Sequence, residues 1–399
     1  MAGIWEILAD RFLRALMTDR ALEVTWPDGR RTLYGSGTPV RVAFHDPALP
    51  RRLVLNPHLA AAEAYMDGHL TVEGDDLRAF LAAVIPGTAR GGDIPVLRAA
   101  QAVALARKRV QQLNTPLRAR RNVKAHYDLP PSLYDLFLDA DRQYSCAYFS
   151  RPGMTLEEAQ EAKKAHIAAK LLIEPGMRVL DIGCGWGGMA MTLARDHGAR
   201  VTGITLSDEQ HAAAKRRVAE AGLSDRVEIR LQDYRDVSGP FDRIVSVGMF
   251  EHVGVPNYHR FFAKLKELMT EDGVALVHTI GRTGPPGITS PFITKYVFPG
   301  GYVPALTEMM KPVERLHLWT CDLEVWRLHY AETLRHWYDR FMRNEAEAER
   351  LMDARFVRMW RFYLAGSEMT FRHHRQVVFQ LQLARRKDAV PITRDYLCG

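Results

Sequence analysis

At 399 residues the chain is longer than the ~100–200 residues of one ordinary domain, and a composition of 47% hydrophobic and 25% charged residues excludes a disordered or fibrous protein. A formal charge of +7, with a sequence pI near 9.2, suits an acidic partner such as nucleic acid or an anionic lipid surface. No apolar run approaches the ~18 residues of a membrane span, and Cys146, Cys184, Cys321 and Cys398 are too scattered for a disulfide framework or a zinc site, so a reducing cytoplasm is the simplest compartment.

The N-terminal run MAGIWEILADRFLRALMTDR is amphipathic, but Glu6, Asp10 and Arg11 interrupt it, and it lacks the apolar core of a signal peptide. Beyond it, ALEVTW, VRVAFH and RRLVLN read as strands, with helices expected around Leu59–Met66 and Asp76–Val84. Together these predict a small α+β domain over residues 1–91, ending in the loop PGTARGGDIP. Residues 92–125 read as a basic helical linker. In it Arg107, Lys108, Arg109, Arg118, Arg120, Arg121 and Lys124 stand without an intervening acid. Most charge runs are solvated linkers; the functional reading is a surface that meets phosphate head groups.

From Thr155 onward strand and helix alternate. The helix LEEAQEAKKAHIAAKLLI precedes the strand MRVLDIG, the helix GMAMTLARDH and the strand RVTGITL. DEQHAAAKRRVAEAG (helix), VEIRLQDY and FDRIVSVGM (strands), YHRFFAKLKELMT (helix) and GVALVHTIG (strand) follow. Such alternation predicts an α/β fold, a doubly wound and mostly parallel sheet with helices on both faces, and a ligand at the carboxyl strand ends where strand order reverses.

VLDIGCGWGG, Val179–Gly188, carries the first candidate site. Gly183, Gly185 and Gly187 would turn a buried strand into a helix where a Cβ is not tolerated. Dinucleotide-binding loops share this logic, but their GxGxxG cradles a pyrophosphate on a helix N-terminus. Here the spacing is GxGxG, and Asp181 precedes the first glycine. A carboxylate with turn amides suits the ammonium and carboxylate of a methionine-tailed cofactor, S-adenosylmethionine. In GITLSDEQ, Thr205, Leu206 and Gln210 stand where a ribose could be held; in LQDY, Asp233 would accept from an adenine amino group, with Tyr234 beside the ring. Strand-end polar caps are the plain alternative, and three successive strand ends with acceptors outweigh it.

Three runs remain outside this pattern: HYDLPPSLYDLFLDADRQYSCAYF, SVGMFEHVGVPNYHRFF and RMWRFYLAGSEMTFRHHRQVVFQLQLAR. Together with VLDIGCGWGG, GITLSDEQ, VHTIG and YVFPGGYVP, they resemble the cyclopropane-fatty-acyl-phospholipid synthase family, which includes the mycolic acid cyclopropane synthases. The resemblance spans about His126 to Arg385 and identifies residues 126–399 as a class I methyltransferase domain with an acyl-chain site. AEAYMDGHLTVEGDDLRAFL also resembles the N-terminal domain of the phospholipid-acting branch.

The resemblance implies methyl transfer from S-adenosylmethionine to a cis double bond of a phospholipid acyl chain. Loss of a proton from the new methyl to a bound bicarbonate would then close a cyclopropane ring. Positions matching the bicarbonate set are Cys146 (backbone amide), Glu251 (acceptor), His278 and Ile280 (side chain and backbone group) and Tyr363 (hydroxyl). Tyr144 and Ser145 match residues that close over the cofactor. Each has a plainer reading: Cys146 a buried small residue, Glu251 a helix entry, His278 a core histidine, Tyr363 a core aromatic. Only their joint occurrence in the family's order overturns these. No metal, no nucleic acid and no recognition motif for one is expected. An anionic phospholipid bilayer reached peripherally from the cytoplasm, an unsaturated acyl chain and a homodimer are the partners that the resemblance suggests.

Where better-known members read roughly HYDLGN this chain has HYDLPPS, and Pro130 and Pro131 would stiffen the loop before the next helix. Relatives with similar motifs form methyl-branched or hydroxylated chains, and plant alkaloid enzymes of similar sequence methylate amines. A lipid-binding scaffold with a decayed catalytic domain is the reading from another class; the intact GxGxG, Glu251, His278 and Tyr363 oppose it.

Overall fold

The computed structural model describes residues 3–17, 19–88 and 129–397. The basic run and the His126–Tyr127 pair of the HYDL motif lie outside the described residues, as does Cys398. Two compact units emerge, and they are interleaved in sequence. One contains the described residues up to 88 with Ile288–Phe298 and Leu334–Arg375; the other contains 129–287, Pro299–Thr333 and the residues from Gln376. The linear reading of the sequence had grouped 334–375 with the catalytic domain.

In chain order, the first unit begins with α1 (Ile4–Leu16), β1 (Leu22–Thr25), β2 (Arg31–Tyr34) and β3 (Val40–Phe44). It continues with α2 (Leu49–Leu55), α3 (Pro57–Met66), β4 (Leu70–Val72) and α4 (Leu77–Thr88). The four strands form one sheet in the order β2-β1-β3-β4. β2 was missed in the sequence. It is set by the Pro27-Asp28-Gly29 turn: Gly29 adopts φ +83°, and the Trp26 amide closes the turn by donating to the Arg30 carbonyl at 2.8 Å. RRLVLN is a second correction, for it lies in the helix α2 rather than a strand. Pro50 occupies the first turn, and Leu49 and Leu53, four residues apart, are both buried. Helical spacing and an N-terminal proline thus override a short apolar run that suits a strand equally well.

The second unit follows with α5 (Pro131–Asp135), α6 (Leu156–Leu171), β5 (Arg178–Ile182), α7 (Gly188–His197), β6 (Arg200–Thr205) and α8 (Asp208–Glu220). Then come β7 (Val227–Leu231), β8 (Phe241–Val247), α9 (Tyr258–Leu268), β9 (Met269–Arg282), α10 (Leu306–Arg315) and β10 (Trp319–Trp326). α11 (His329–Arg343), α12 (Glu345–Leu351) and α13 (Ala354–His373) then lie mainly in the first unit, and β11 (Gln376–Ala384) returns to the second. Its sheet runs β10-β11-β9-β8-β5-β6-β7. The pairs from β9 through β8, β5 and β6 to β7 are parallel, while β11 pairs antiparallel with both β9 and β10. The mostly parallel class I methyltransferase sheet expected from the sequence is therefore present. Chain order steps from β5 to β6 and β7 on one side and to β8 on the other, so order reverses between β5 and β8, where such sheets open a crevice.

Local sequence fixes the elements that flank this crevice. Thr155 and Glu158 form a reciprocal capping box at the start of α6. Ser207 Oγ accepts the Gln210 amide at the start of α8. Beyond β8, Phe250 is fully buried and stacks on Tyr258 at 4.3 Å, with Phe261 and Phe262 around it. In the first unit α13 packs on α3 and α4. Arg358 lies 4.5 Å over the Tyr65 ring, and Arg78 donates to the wholly buried Glu368 at 2.7 Å.

The aromatic cluster anchors the segment that carries Glu251. Phe250→Ala is expected to cost about 3–5 kcal/mol in urea unfolding of the full chain; a loss below about 1 kcal/mol would show that the cluster does not support that segment.

Candidate active site

At the carboxyl ends of β5, β6 and β8 the second unit holds a cavity. Among the residues expected at a cofactor, Tyr144, Ser145, Asp181, Gly183, Gly185, Thr205, Leu206, Gln210, Asp233 and Tyr234 line it, while Gly187 does not. Gly187 instead caps α7 with φ +83°, so its role lies in the turn. Gly183 has φ +85°, and a Cβ there would stand 2.9 Å from the Met249 Cβ, which explains the glycine on steric grounds.

Asp181 is the penultimate residue of β5, which is buried from Val179 onward. Burial pushes its carboxyl up to about 7, and Lys163 opposes that shift. Its Oδ2 has no hydrogen-bond partner among the described residues, a costly state for a buried oxygen unless a ligand donates to it. Thr205 Oγ1 donates to Gln210 Oε1 at 2.9 Å, so these two side chains face the cavity as a joined pair. Asp233 is engaged by Arg235, whose Nε and Nη2 reach its two oxygens at 2.8 and 2.6 Å. Oδ1 also accepts the Arg235 amide at 3.0 Å. Tyr234 packs edge-on against Phe261 at 5.3 Å, and burial raises its hydroxyl to about 12. An orphaned carboxylate, turn glycines and a polar strand-end pair fit a cofactor that has an ammonium group and a ribose.

The acceptor-side candidates divide between the units. Cys146, Glu251, His278 and Ile280 belong to the second unit; Tyr363 belongs to the first. Tyr363 is buried on α13 between Phe298 and Trp360, with ring centroids at 6.0 and 5.1 Å. In the second unit, Gly248 donates to the His278 carbonyl at 2.9 Å, and a Cβ on Gly248 would lie 4.0 Å from Ser145 Cβ. The segments around 145, 248–251 and 278–280 therefore meet at the ends of β8 and β9.

Glu251 Oε1 accepts from the Ile280 amide at 2.7 Å, whereas Oε2 is buried without a partner among the described residues. Burial raises this carboxyl to about 7. The Ile280 N–H is thus already directed at Glu251. His278 is held neutral by burial and nearby lysines, and its Nδ1 lies 3.1 Å from Gln380 Nε2. Cys146 is fully buried, and burial raises its thiol well above the usual range, which agrees with its reading as a small packed residue rather than a nucleophile.

The structure adds residues not singled out in the sequence. Arg142, Gln143, Trp186 and His252 line the cavity. Trp186 meets Tyr134 at 5.1 Å, and burial lowers His252 to about 4. Trp186 and His252 sat inside motifs that had been quoted, so adjacency could have flagged them. Arg142 and Gln143 likewise stand in the quoted run, directly before Tyr144.

Comparison with known proteins now bears on this geometry. The family model described as mycolic acid cyclopropane synthetase matches residues 114–381. The chain belongs to this family. It is a class I, S-adenosylmethionine-dependent methyltransferase of the cyclopropane synthase type. A domain of unknown function matches residues 9–87. The cyclopropane-fatty-acyl-phospholipid synthase of Escherichia coli K12 is 38% identical over 347 residues, 87% of this chain and 88% of that protein. A Pseudomonas putida protein named "Probable fatty acid methyltransferase" is 42% identical over 257 residues, which is 62% of this chain and 65% of that protein's length. Among solved structures, the mycolic acid cyclopropane synthase CmaA1 complexed with SAH and CTAB matches with a TM-score of 0.63 and 34% identity, covering 66% of this chain and 97% of that one.

Gly183→Val forces a branched side chain onto a positive φ and into Met249. The expected result is a folded protein by circular dichroism with S-adenosylhomocysteine binding weakened at least ~100-fold by calorimetry; unchanged affinity would mean that this turn does not border the cofactor.

Proposed function

We propose that the protein transfers the methyl group of S-adenosylmethionine to a cis double bond in an unsaturated phospholipid acyl chain, and that proton loss to a bound bicarbonate closes a cyclopropane ring. The observation that carries this reading is Glu251 Oε2, a buried and unpartnered carboxylate oxygen at strand ends beside the cavity. The name of the E. coli relative, which shares most of both chains, supports the substrate class.

When bound, the cofactor supplies an electrophilic methyl group. The chain's own residues must fix its position, keep water away from a cationic carbon and hold a base. Asp181 takes the ammonium group through Oδ2. Thr205 and Gln210 hold the ribose, Asp233 accepts from the adenine amino group, and Tyr144 and Ser145 close the cavity. Glu251 accepts from the hydroxyl of the bicarbonate, with Ile280 N–H holding its other oxygen. The Cys146 amide and His278 complete the set that the second unit itself supplies in this reading.

For the lipid surface, α1 offers a face on which Ile4, Trp5, Ile7 and Leu8 are exposed while Ala9, Leu13 and Leu16 are buried opposite. Arg51 stands 5.6 Å over the Trp5 ring, which brings a cation to that apolar face. Apolar side chains beside cations suit the interface of an anionic bilayer. Ile7→Glu is expected to weaken binding to phosphatidylglycerol vesicles several-fold in flotation assays, and to leave S-adenosylhomocysteine affinity unchanged. Equal flotation by wild type and variant would remove α1 from the interface.

One observation favours a second product. With the Ile280 amide committed to Glu251, the bicarbonate has one donor fewer, and a cation that undergoes a hydride shift before it gives up a proton leads to a methylene-branched chain, of the same mass as the cyclopropane but reducible as an alkene. The deciding assay uses methyl-labelled S-adenosylmethionine with vesicles of unsaturated phospholipid, followed by mass spectrometry of the methyl esters. Cyclopropane formation predicts an adduct one methylene heavier than the substrate that resists mild hydrogenation. Label only in an added amine would reject lipid methylation.

Glu251 must be ionised to accept. Its carboxyl is raised to about 7, so turnover is expected to rise as pH increases through that value and to fall below it. Glu251→Gln should cut turnover ~100-fold or more and remove this acid limb without loss of S-adenosylhomocysteine binding. An unchanged limb in the variant would assign it to another group.

A further inference from the structure

Three lysines on α6 are buried: Lys163, Lys164 and Lys170. Lys164 pairs with Asp141 at 2.7 Å, and Lys170 pairs with Glu324 at 2.6 Å. Lys163 differs from both. It is wholly buried, yet no carboxylate lies within salt-bridge distance of it among the described residues. Its Nζ instead donates to Gln143 Oε1 at 2.6 Å and to Ser145 Oγ at 2.8 Å. Gln143 and Ser145 both line the cofactor cavity. One turn earlier on the same face, Gln160 Nε2 donates to the carbonyls of Gln143 and Ser145 at 3.1 and 3.0 Å.

The titratable groups facing Lys163 come from four elements. They are the acids Asp139, Asp141 and Asp181, the cation Lys164 on its own helix, and two groups held neutral by burial, Cys146 after α5 and His278 on β9. Burying an ammonium without a directly bonded anion is expensive. Two neutral acceptors offset part of that cost, and the field of nearby carboxylates offsets more.

We propose that Lys163 is a positioning residue of the cofactor site: it pins Gln143 and Ser145 against the cavity and supplies the positive field that keeps Asp181 charged for the ammonium group of S-adenosylmethionine. Two observations converge on this. The bonds to Gln143 and Ser145 tie the lysine to the cavity wall. The unpartnered Oδ2 of Asp181, at the cavity floor, needs a cation nearby to remain a carboxylate. Lys163 is the group that lowers the Asp181 carboxyl against burial, while its own ammonium is lowered to about 8 by desolvation. The inference rests on the reading of the cavity as the cofactor site.

The test is calorimetric titration of the full chain with S-adenosylhomocysteine across about pH 5–9. In the wild type, affinity grows as pH rises through the Asp181 value near 7. Lys163→Met removes the field, so Asp181 ionises later and the midpoint of this rise moves up by about one pH unit, with affinity at neutral pH falling about tenfold. Ser145→Ala removes a bond and keeps the charge, so its midpoint stays in place. Asp139→Asn covers the case in which Lys163→Met does not fold. It removes the carboxylate that helps keep Lys163 protonated, so the field weakens and the midpoint moves in the same direction, to higher pH.

A uniform loss of affinity in Lys163→Met with an unmoved midpoint would reduce the lysine to a packing element and overturn the proposal. So would an unmoved midpoint in Asp139→Asn, or a shift in Ser145→Ala as large as that in Lys163→Met. Asp181→Asn separates this failure from failure of the site itself. If that variant binds as tightly as wild type, the cofactor placement and the inference fall together; if it binds weakly while the midpoints stay fixed, the inference falls alone.

Discussion

A charge taken out of water has to be answered by another charge or by hydrogen bonds, and in the second unit this requirement is met along one face of α6. Gln160, Lys163 and Lys164 lie within one turn there, Lys170 two turns beyond Lys163, and all are buried. Their partners are the loop after α5 and the strand β10. Asp139 closes the loop on itself by accepting the amides of Asp141 and Gln143, and Arg217 reaches in from α8 to Asp141 and to the Trp186 carbonyl. The cavity wall at 142–145 is consequently held by side chains from two helices as well as by its own backbone.

Much of the methyltransferase core was legible because it obeys simple periodicities. Each strand and crossover helix from Leu156 to Arg282 lies close to its expected position, since β-branched runs and helical repeats there agree with the tertiary fold. The strand-end acceptors were legible for a related reason: topology dictates where a strand ends, and strand ends line the crevice. The lysines of α6 were not. LEEAQEAKKAHIAAKL has hardly any apolar stripe, and its charged residues look solvated until the loop that neutralises them is in place. That loop is about twenty residues upstream, in a stretch with little periodicity of its own.

The first unit was less readable. RRLVLN is short enough for local spacing to favour strand or helix, and Pro50 decides the matter. α13 was identified by its motif, but its partners were hidden, since the arginines on it answer acids and carbonyls near the other end of the chain. Arg355 meets Asp67 and Arg361 meets Asp75, while Glu368 takes Arg78. Guanidinium groups are strongly charged whatever their setting, and nothing in their spacing announces which carboxylate they will find.

That last arrangement bears on how the protein is made. The bond between Arg78 and Glu368 spans 290 residues of sequence, so α13 is translated long after the elements it covers. On the ribosome, the small sheet and its helices emerge before α13 and must wait, with the faces of α3 and α4 uncovered, until that long intervening stretch has been made. The second unit is also incomplete until β11 enters between β9 and β10. Both units therefore finish at the same late moment, so early emergence gives the N-terminal residues no early maturity, and chaperone dependence during synthesis is the natural corollary.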